Sequence, residues 1–379
     1  MKYNPEHFQP NVWQRITKII SSNRIGSAYL FSGPEGTGKE AAALAFSAAL
    51  NCQGNEIICG SCSSCVRFSS LQHEHLHVIV PLPRKKANFD KDTDVLSIIG
   101  DDNAALLTDL LQKKGTDPFQ KINIPRAKRI LINSIRELRK KLYLKSVDSG
   151  YKMVLIFDAH CLSDGDGASA NALLKLLEEP PKKTTVILVT DYKSMLLSTI
   201  QSRCQQIDFP PISHDIVSTY LTEDRGIHSG EAEFYANLAD GNIHKARFLA
   251  DRTVAEILKT MKDQVEAVVN SNGDGWRSYI NNMSRMVRSD PNNFKFHLFL
   301  LQTWFQQSVR FRQNISSPLA QNGFEEALKT FTTSYPQANL TTANSVIETT
   351  IASIDRNFYM PLTLTNMLID IQHYLKGKA

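Results

Sequence analysis

The chain has 379 residues, 42% of them hydrophobic and 21% charged, with a formal net charge of +5. That is enough length for two or three domains with real cores. The small positive excess permits contact with nucleic acid without demanding it, and solubility is its plainer meaning. No run of about 18 uncharged apolar residues suits a membrane span, and the opening "MKYNPEHFQPNVWQ" lacks the apolar centre of a signal peptide. The expected compartment is therefore the cytoplasm, with no membrane partner.

In chain order, "AYLFS" at 28–32 is a short apolar run that predicts a buried strand, and the Ala- and Leu-rich "KEAAALAFSAALNC" after the next loop predicts a helix. Residues 81–125 are charged and broken by Pro, Gly and Asp. They predict a surface insertion, partly mobile, with one helix at 103–113. "ILINSIRELRKKLYLKS" predicts a helix with Ile135, Leu138 and Leu142 on one face and Arg136, Arg139 and Lys140 on another. "MVLIFD" at 153–158 and "TTVILVTD" at 184–191 are too uniformly apolar for a one-sided sheet and predict central parallel strands. Between them "ASANALLKLLEEPP" predicts a helix with Leu173, Leu174, Leu176 and Leu177 on one face, stopped by Pro180 and Pro181. This alternation argues an α/β parallel-sheet domain over 1–211. Beyond "DFPPIS" at 208–213 every segment has helical spacing, and "SNGDGW" at 271–276 is the strongest break. The expected division is a small helical domain at 212–265 and a larger one at 266–379.

The chemistry begins at Gly33–Glu40, "GPEGTGKE", seven of whose eight positions spell a phosphate-binding loop between a strand and a helix. Gly33, Gly36 and Gly38 allow a tight turn around an anion, Thr37 lies within it, and Lys39 supplies a mobile cation. The last position is normally a Ser or Thr that ligates Mg²⁺, and here it is Glu40. Two readings stand open: weak nucleotide binding, or a loop kept for shape with Lys39 partly neutralised by Glu40. At the end of the second strand Asp158 stands where a metal-binding carboxylate is needed, but Ala159 occupies the place of the water-activating base, and alanine cannot take a proton. Thr190 ends the third strand, where strand ends meet a nucleotide crevice. Arg203, in "TIQSRCQQ", has no evident partner within the chain and is by spacing alone an ordinary surface cation.

Four of the six cysteines cluster as Cys52, Cys59, Cys62 and Cys65. Four thiolates suit a closed, structural Zn²⁺ site, with free thiols or an iron–sulfur cluster as the alternatives. His73, His75 and His77 in "HEHLH" would share one strand face and are expected to be surface or packing residues. The basic helical stripe at 136–141 suits either a phosphate backbone or plain solvent.

"AYLFSGPEGTGKE", the cysteine cluster, "ANALLKLLEEPP" and "TIQSRC" occur in the order seen in bacterial sliding-clamp loader subunits of the AAA+ superfamily, which the chain resembles over nearly its whole length. The likeness is specific through 27–80 and 150–210 and only architectural at 81–125 and 266–379. It implies a RecA-like parallel-sheet domain carrying a zinc module at 52–65, a small helical lid and an all-α collar, with "TNMLIDIQHYL" in the collar. Motor subunits of this family carry Ser or Thr at the loop's end, Asp-Glu on the second strand and a sensor Arg in the lid. Here stand Glu40, Ala159 and His244, while the Ser-Arg-Cys motif is intact. The resemblance therefore implies a subunit that hydrolyses no ATP itself but presents Arg203 to a neighbour's ATP site. The implied ATP/Mg²⁺ binding of its own is weak or absent. The implied partners are the motor and clamp-opening subunits of the loader, with the sliding clamp and primer–template DNA reached through the complex. The alternatives are a motor ATPase that tolerates Glu40 and Ala159, and a nucleic-acid-binding module on a dead ATPase fold.

Overall fold

The computed structural model describes residues 4–84, 90, 93–143, 150–165, 167–270, 273–315, 319, 323–354 and 358–377. Parts of three expected segments lie outside the described residues: 85–89 and 91–92 of the insertion, 144–146 of "LYLKS", and 271–272 of "SNGDGW". The chain divides into two compact units, Met1–Val217 with Asp240–Lys245, and Ser218–Ala239 with Ala246–Ala379.

The first unit is built on a five-stranded sheet, wholly parallel, of strands β1 (Ala28–Ser32), β2 (Leu76–Ile79), β3 (Lys152–Ile156), β4 (Thr184–Thr190) and β5 (Gln205–Asp208) in the order β2-β3-β4-β1-β5. The strands predicted at 28–32, 153–158 and 184–191 are its three central members. β2 and β5 were not foreseen, because each has only four residues and β5 is polar, with Ile207 its one fully buried position. β1 and β4 are buried at every residue, as a sheet covered on both faces requires. On one face Leu30, Val154, Ile156, Val186 and Leu188 pack on Ile135, Leu138 and Leu142 of the helix Ile132–Tyr143 and on Leu173, Leu176 and Leu177 of the helix Ala168–Glu178. On the other, Tyr29 meets Phe46 edge-on at 5.3 Å, so the helix Lys39–Leu50 lies against the sheet immediately after the loop that precedes it.

The insertion differs from its expectation. Among its described residues it holds two helices, Val95–Ile99 and Asp101–Thr116, and part of it is buried in the unit. Leu110, Lys114, Phe119, Ile122 and Ile124 are all buried. Low average hydropathy hid this, since its apolar residues are few and widely spaced. The N-terminal helices Pro5–Phe8 and Pro10–Ser21, unforeseen too, use Pro at the first helical position.

Described by itself, the second unit is all helical among the described residues, as expected for the chain beyond residue 214. Its longest helix, Pro291–Arg312, buries Phe294, Leu298, Leu301, Trp304 and Phe305. Trp304 takes Phe324 and Phe331 edge-on at 5.4 and 5.9 Å. The helix Val254–Val269 starts with a full capping box between Thr253 and Glu256. The helix Met360–Leu375 is tied to its end by Gln372 Nε2, which donates to the carbonyls of Val268 and Val269 at 2.9 and 2.7 Å. Among the described residues no helix is long and apolar enough to cross a membrane.

Candidate functional site: the phosphate-loop cleft and the cysteine cluster

Parallel pairing brings the carboxyl ends of β1, β3 and β4 together, with Ser32 in register with Thr190 and Ile156 with Leu188. The Gly33–Glu40 loop leaves β1 at that edge. Its glycines are demanded by geometry at two places. Gly33 has φ +149°, and a Cβ there would fall 2.1 Å from the Phe209 carbonyl oxygen. Gly36 has φ +73°, and a Cβ would fall 1.9 Å from Asn242 Oδ1. The 240–245 segment thus closes directly over the loop, and Ile243 N–H donates to the Gly36 carbonyl at 2.9 Å. Gly38 caps the helix Lys39–Leu50. Gln9 Nε2 donates to the Thr37 and Pro210 carbonyls and clamps the loop from the N-terminal side.

The cleft is lined by Gly36, Thr37, Gly38, Lys39, Glu40, Asp158, Thr190 and His244, and also by Pro118, Phe119, Lys121 and Asp191. All the residues expected at the nucleotide site are therefore gathered there except Gly33, which lies at the loop's root. The four others were not anticipated.

The side chains do not stand as the sequence suggested. Lys39 forms its ion pair with Asp191, not with Glu40. Its ammonium is 2.7 Å from Asp191 Oδ1 and donates to the Gly33 carbonyl at 2.8 Å, to the Pro34 carbonyl and to Thr37 Oγ1 at 3.2 Å. An ammonium has three protons, so all of them are taken by the protein. Burial lowers the Lys39 pKa, against the pull of Asp191. Glu40 pairs instead with Lys114, 74 positions away and wholly buried, at 2.5 Å. Lys114 Nζ also donates to the Pro118 and Gln120 carbonyls at 3.1 and 2.7 Å and lies 5.1 Å from the Phe157 ring centroid. Burial works to raise the Glu40 carboxyl, but Lys114 and Lys121 hold it below its ordinary value.

Asp158, in the left-handed region at φ +47°, is 3.3 Å from Lys121 Nζ, and the same nitrogen is 3.2 Å from Asp191 Oδ2. Burial would lower the Lys121 pKa, yet Asp158, Glu40 and Asp191 keep it well above the usual lysine value. Burial raises the Asp158 carboxyl above its ordinary range. Burial likewise works to raise Asp191, but Lys121 and Lys39 hold it below. Thr190 Oγ1 pairs with His160 Nδ1 at 3.1 Å and accepts from Tyr192 N–H at 3.0 Å. Ala159, in the position of the base, is fully buried. Each carboxylate lining the cleft is thus ion-paired. The arrangement offers a fixed electrostatic lattice and, among the described residues that line the cleft, no carboxylate outside an ion pair to activate water.

Arg203 is not among the residues lining this cleft. It follows the short helix Ser198–Gln201 and is 38% exposed at its side chain. It does have an intrachain partner. Nη2 is 2.8 Å from Glu178 Oε1, and Nη1 donates to the Thr199 carbonyl at 2.9 Å. Three of its five donors remain uncommitted by these two bonds.

The Sγ atoms of Cys52, Cys59, Cys62 and Cys65 lie within 4.8 Å of one another, with Cys59 and Cys65 at 3.9 Å. Ligands at about 2.3 Å around a tetrahedral ion stand roughly 3.8 Å apart, so the four could hold a metal ion. Backbone N–H groups of Gly54 and Cys59 point at Cys52, that of Cys62 at Cys59, and that of Cys65 at Cys62, all at 3.4 Å. Such donors favour thiolate, and those of Cys62 and Ser61 bring Cys59 down to about 6. His73 and His75 are buried and precede β2, so the three histidines do not share a strand face as expected. His73 is bonded to Ser64 at 3.1 Å and stacks on Phe68, which makes it packing of the cysteine module.

The family model for DNA polymerase III, delta subunit, matches residues 8–213. The tau subunit of DNA polymerase III from Bacillus subtilis is 29% identical over 272 residues, 68% of this chain and 40% of that protein. The delta' subunit from the same organism is 31% identical over 258 residues, 67% of this chain and 60% of that protein. The chain therefore spans less than two thirds of each of these relatives. Among solved structures, a DNA polymerase III gamma subunit-related protein from Thermotoga maritima aligns over 96% of this chain and 99% of its own, at 14% identity and a TM-score of 0.40.

Proposed function

The chain belongs to the DNA polymerase III delta subunit family, and on that premise we propose that it is the non-hydrolysing stator of the clamp loader, in the delta-prime role. The observation that carries this reading is the state of its own nucleotide cleft. The loop lysine is spent on Asp191 and loop carbonyls, Glu40 is spent on Lys114, and the base is replaced by a buried alanine. The catalytic contribution is Arg203, which reaches a neighbouring motor subunit's ATP site. A guanidinium placed there neutralises charge developing on the transferred phosphoryl group. The helical segment 266–379 joins the gamma/tau motor subunits, 212–265 is the lid, and the delta subunit is the other neighbour. ATP-driven closure of the assembly then loads the sliding clamp on primed DNA. Zn²⁺ at Cys52, Cys59, Cys62 and Cys65 is structural, because four protein ligands leave no position for water.

The test is Arg203→Ala in a loader reconstituted with its motor subunits. DNA- and clamp-stimulated ATP hydrolysis at the site facing Arg203 falls by about 10³-fold or more, while assembly is unchanged. Full hydrolysis and loading by the variant complex would refute the role. A gamma/tau-type motor subunit is the second reading, favoured by the similarity to the Bacillus subtilis tau subunit. It requires turnover that depends on Lys39.

A further inference from the structure

Three carboxylates of one cleft, Glu40, Asp158 and Asp191, are paired with three ammonium groups: Lys39 and Lys121, which line the cleft, and Lys114, buried behind Glu40. In phosphate-loop enzymes the strand-end carboxylate holds a divalent ion that bridges to the polyphosphate. Here the strand-end carboxylates of β3 and β4 share a nitrogen. Lys121 Nζ lies 3.3 Å from Asp158 and 3.2 Å from Asp191. The residues just before it complete the occupation. Pro118 and Phe119 line the cleft, and Phe119 packs edge-on against Phe8 at 4.9 Å. Lys114 fastens this turn by donating to the carbonyls of Pro118 and Gln120 while pairing with Glu40.

We infer that the segment 114–121 is an internal plug, in which Lys121 serves as a built-in cation in the place of a divalent metal ion and Pro118–Phe119 fill the cleft of the phosphate loop. The plug explains why a glycine loop with its lysine persists without the Mg²⁺ hydroxyl: the loop binds a piece of its own chain. It also gives the two unexpected lysines a purpose. Asp158 and Asp191 would repel one another without a shared cation. Burial keeps the Asp158 carboxyl reluctant to ionise, and Lys121 is what offsets that cost. The inference goes beyond the proposed function, since a stator that binds nucleotide without hydrolysing it would satisfy that function and still refute the plug.

The experiment uses the full chain and two probes, Mn²⁺ alone followed by electron paramagnetic resonance, and a fluorescent ADP with Mg²⁺ followed by anisotropy. The unaltered chain binds neither at this cleft. Lys121→Ala frees Asp158 and the Oδ2 of Asp191, whose Oδ1 stays on Lys39, and binds Mn²⁺ about tenfold or more tighter than any residual binding by the unaltered chain, as expected when a site's uncompensated ligand charge rises. Adding Asp158→Asn to that variant abolishes the gain. A gain of Mn²⁺ binding that Asp158→Asn does not remove would overturn the assignment of Lys121 to the ion's place, as would no gain in a variant with the parental circular dichroism. The nucleotide arm needs no variant to fold except as a control: ADP binding by the unaltered chain, lost in Lys39→Ala, would overturn the plug outright.

Discussion

Replacing Lys114 with Met leaves Glu40 in a low-dielectric pocket without its partner. The geometry sets the scale: Lys114 is completely buried, Glu40 is 16% exposed at its side chain, and the pair closes at 2.5 Å. Removing one member of a buried ion pair costs about 3–5 kcal/mol, much of it the uncompensated charge left behind. For a folding unit of this size each kcal/mol lowers the melting temperature by about 2–4 °C, so a fall of roughly 6–20 °C is expected for the first unit. The pH dependence carries the sign. With Lys114 present the Glu40 carboxyl is held below its ordinary value. Its contribution is therefore complete above the carboxylate range and is lost as pH falls through the folded pKa. Without Lys114 the burial that works to raise the pKa is opposed chiefly by Lys121, so the carboxyl titrates higher than in the parent and protonation relieves part of the cost. The deficit of Lys114→Met then shrinks as pH drops from 7 toward 5. Glu40→Gln combined with Lys114→Met removes both charges and recovers most of the loss. The assay is a calorimetric melt of the parent, the single variant and the double variant at both pH values. A single variant that melts within about 2 °C of the parent, or a double variant no better than the single, would refute the reasoning.

Gly36→Ala forces a Cβ into Asn242 at φ +73° and is expected to lower stability by about 1–3 kcal/mol, read by chemical denaturation. If the denaturation midpoint does not move, the close packing of the 240–245 segment on the loop is wrong. Cys62→Ser is expected to lose the Zn²⁺ proposed for the four cysteines, measured by mass spectrometry of the intact chain, and to open the 52–65 module to protease. A variant that keeps one equivalent of zinc and its protease resistance would remove Cys62 from the ligand set.

The sheet was legible where its strands are long and buried on two faces. "AYLFS", "MVLIFD" and "TTVILVTD" have no polar interruption, and they became the three central strands. β5 escaped because an edge strand with polar residues leaves little periodic signal. The loop, the missing base and the four-cysteine cluster could be read from spacing, since those residues are close in sequence. Their partners could not. Glu40 and Lys114 are 74 positions apart, and Lys121 sits in a stretch whose charge and Gly-Thr-Asp-Pro punctuation suggest solvent. Only the fold sets those lysines against the loop. Asp191 lies one residue beyond Thr190, the last residue of β4, still within reach of the crevice where strand ends meet. The Arg203 partner is illegible in the sequence because Glu178 is 25 residues away.

The central claim is that this chain lends an arginine and hydrolyses nothing itself. Steady-state ATP hydrolysis by the purified chain with Mg²⁺, run beside Lys39→Ala to remove contaminant activity, tests it most directly. No turnover above the Lys39→Ala control is the expected result. Turnover that disappears with Lys39 would contradict it, and would require a base other than the buried Ala159 and ion pairs that open to admit nucleotide.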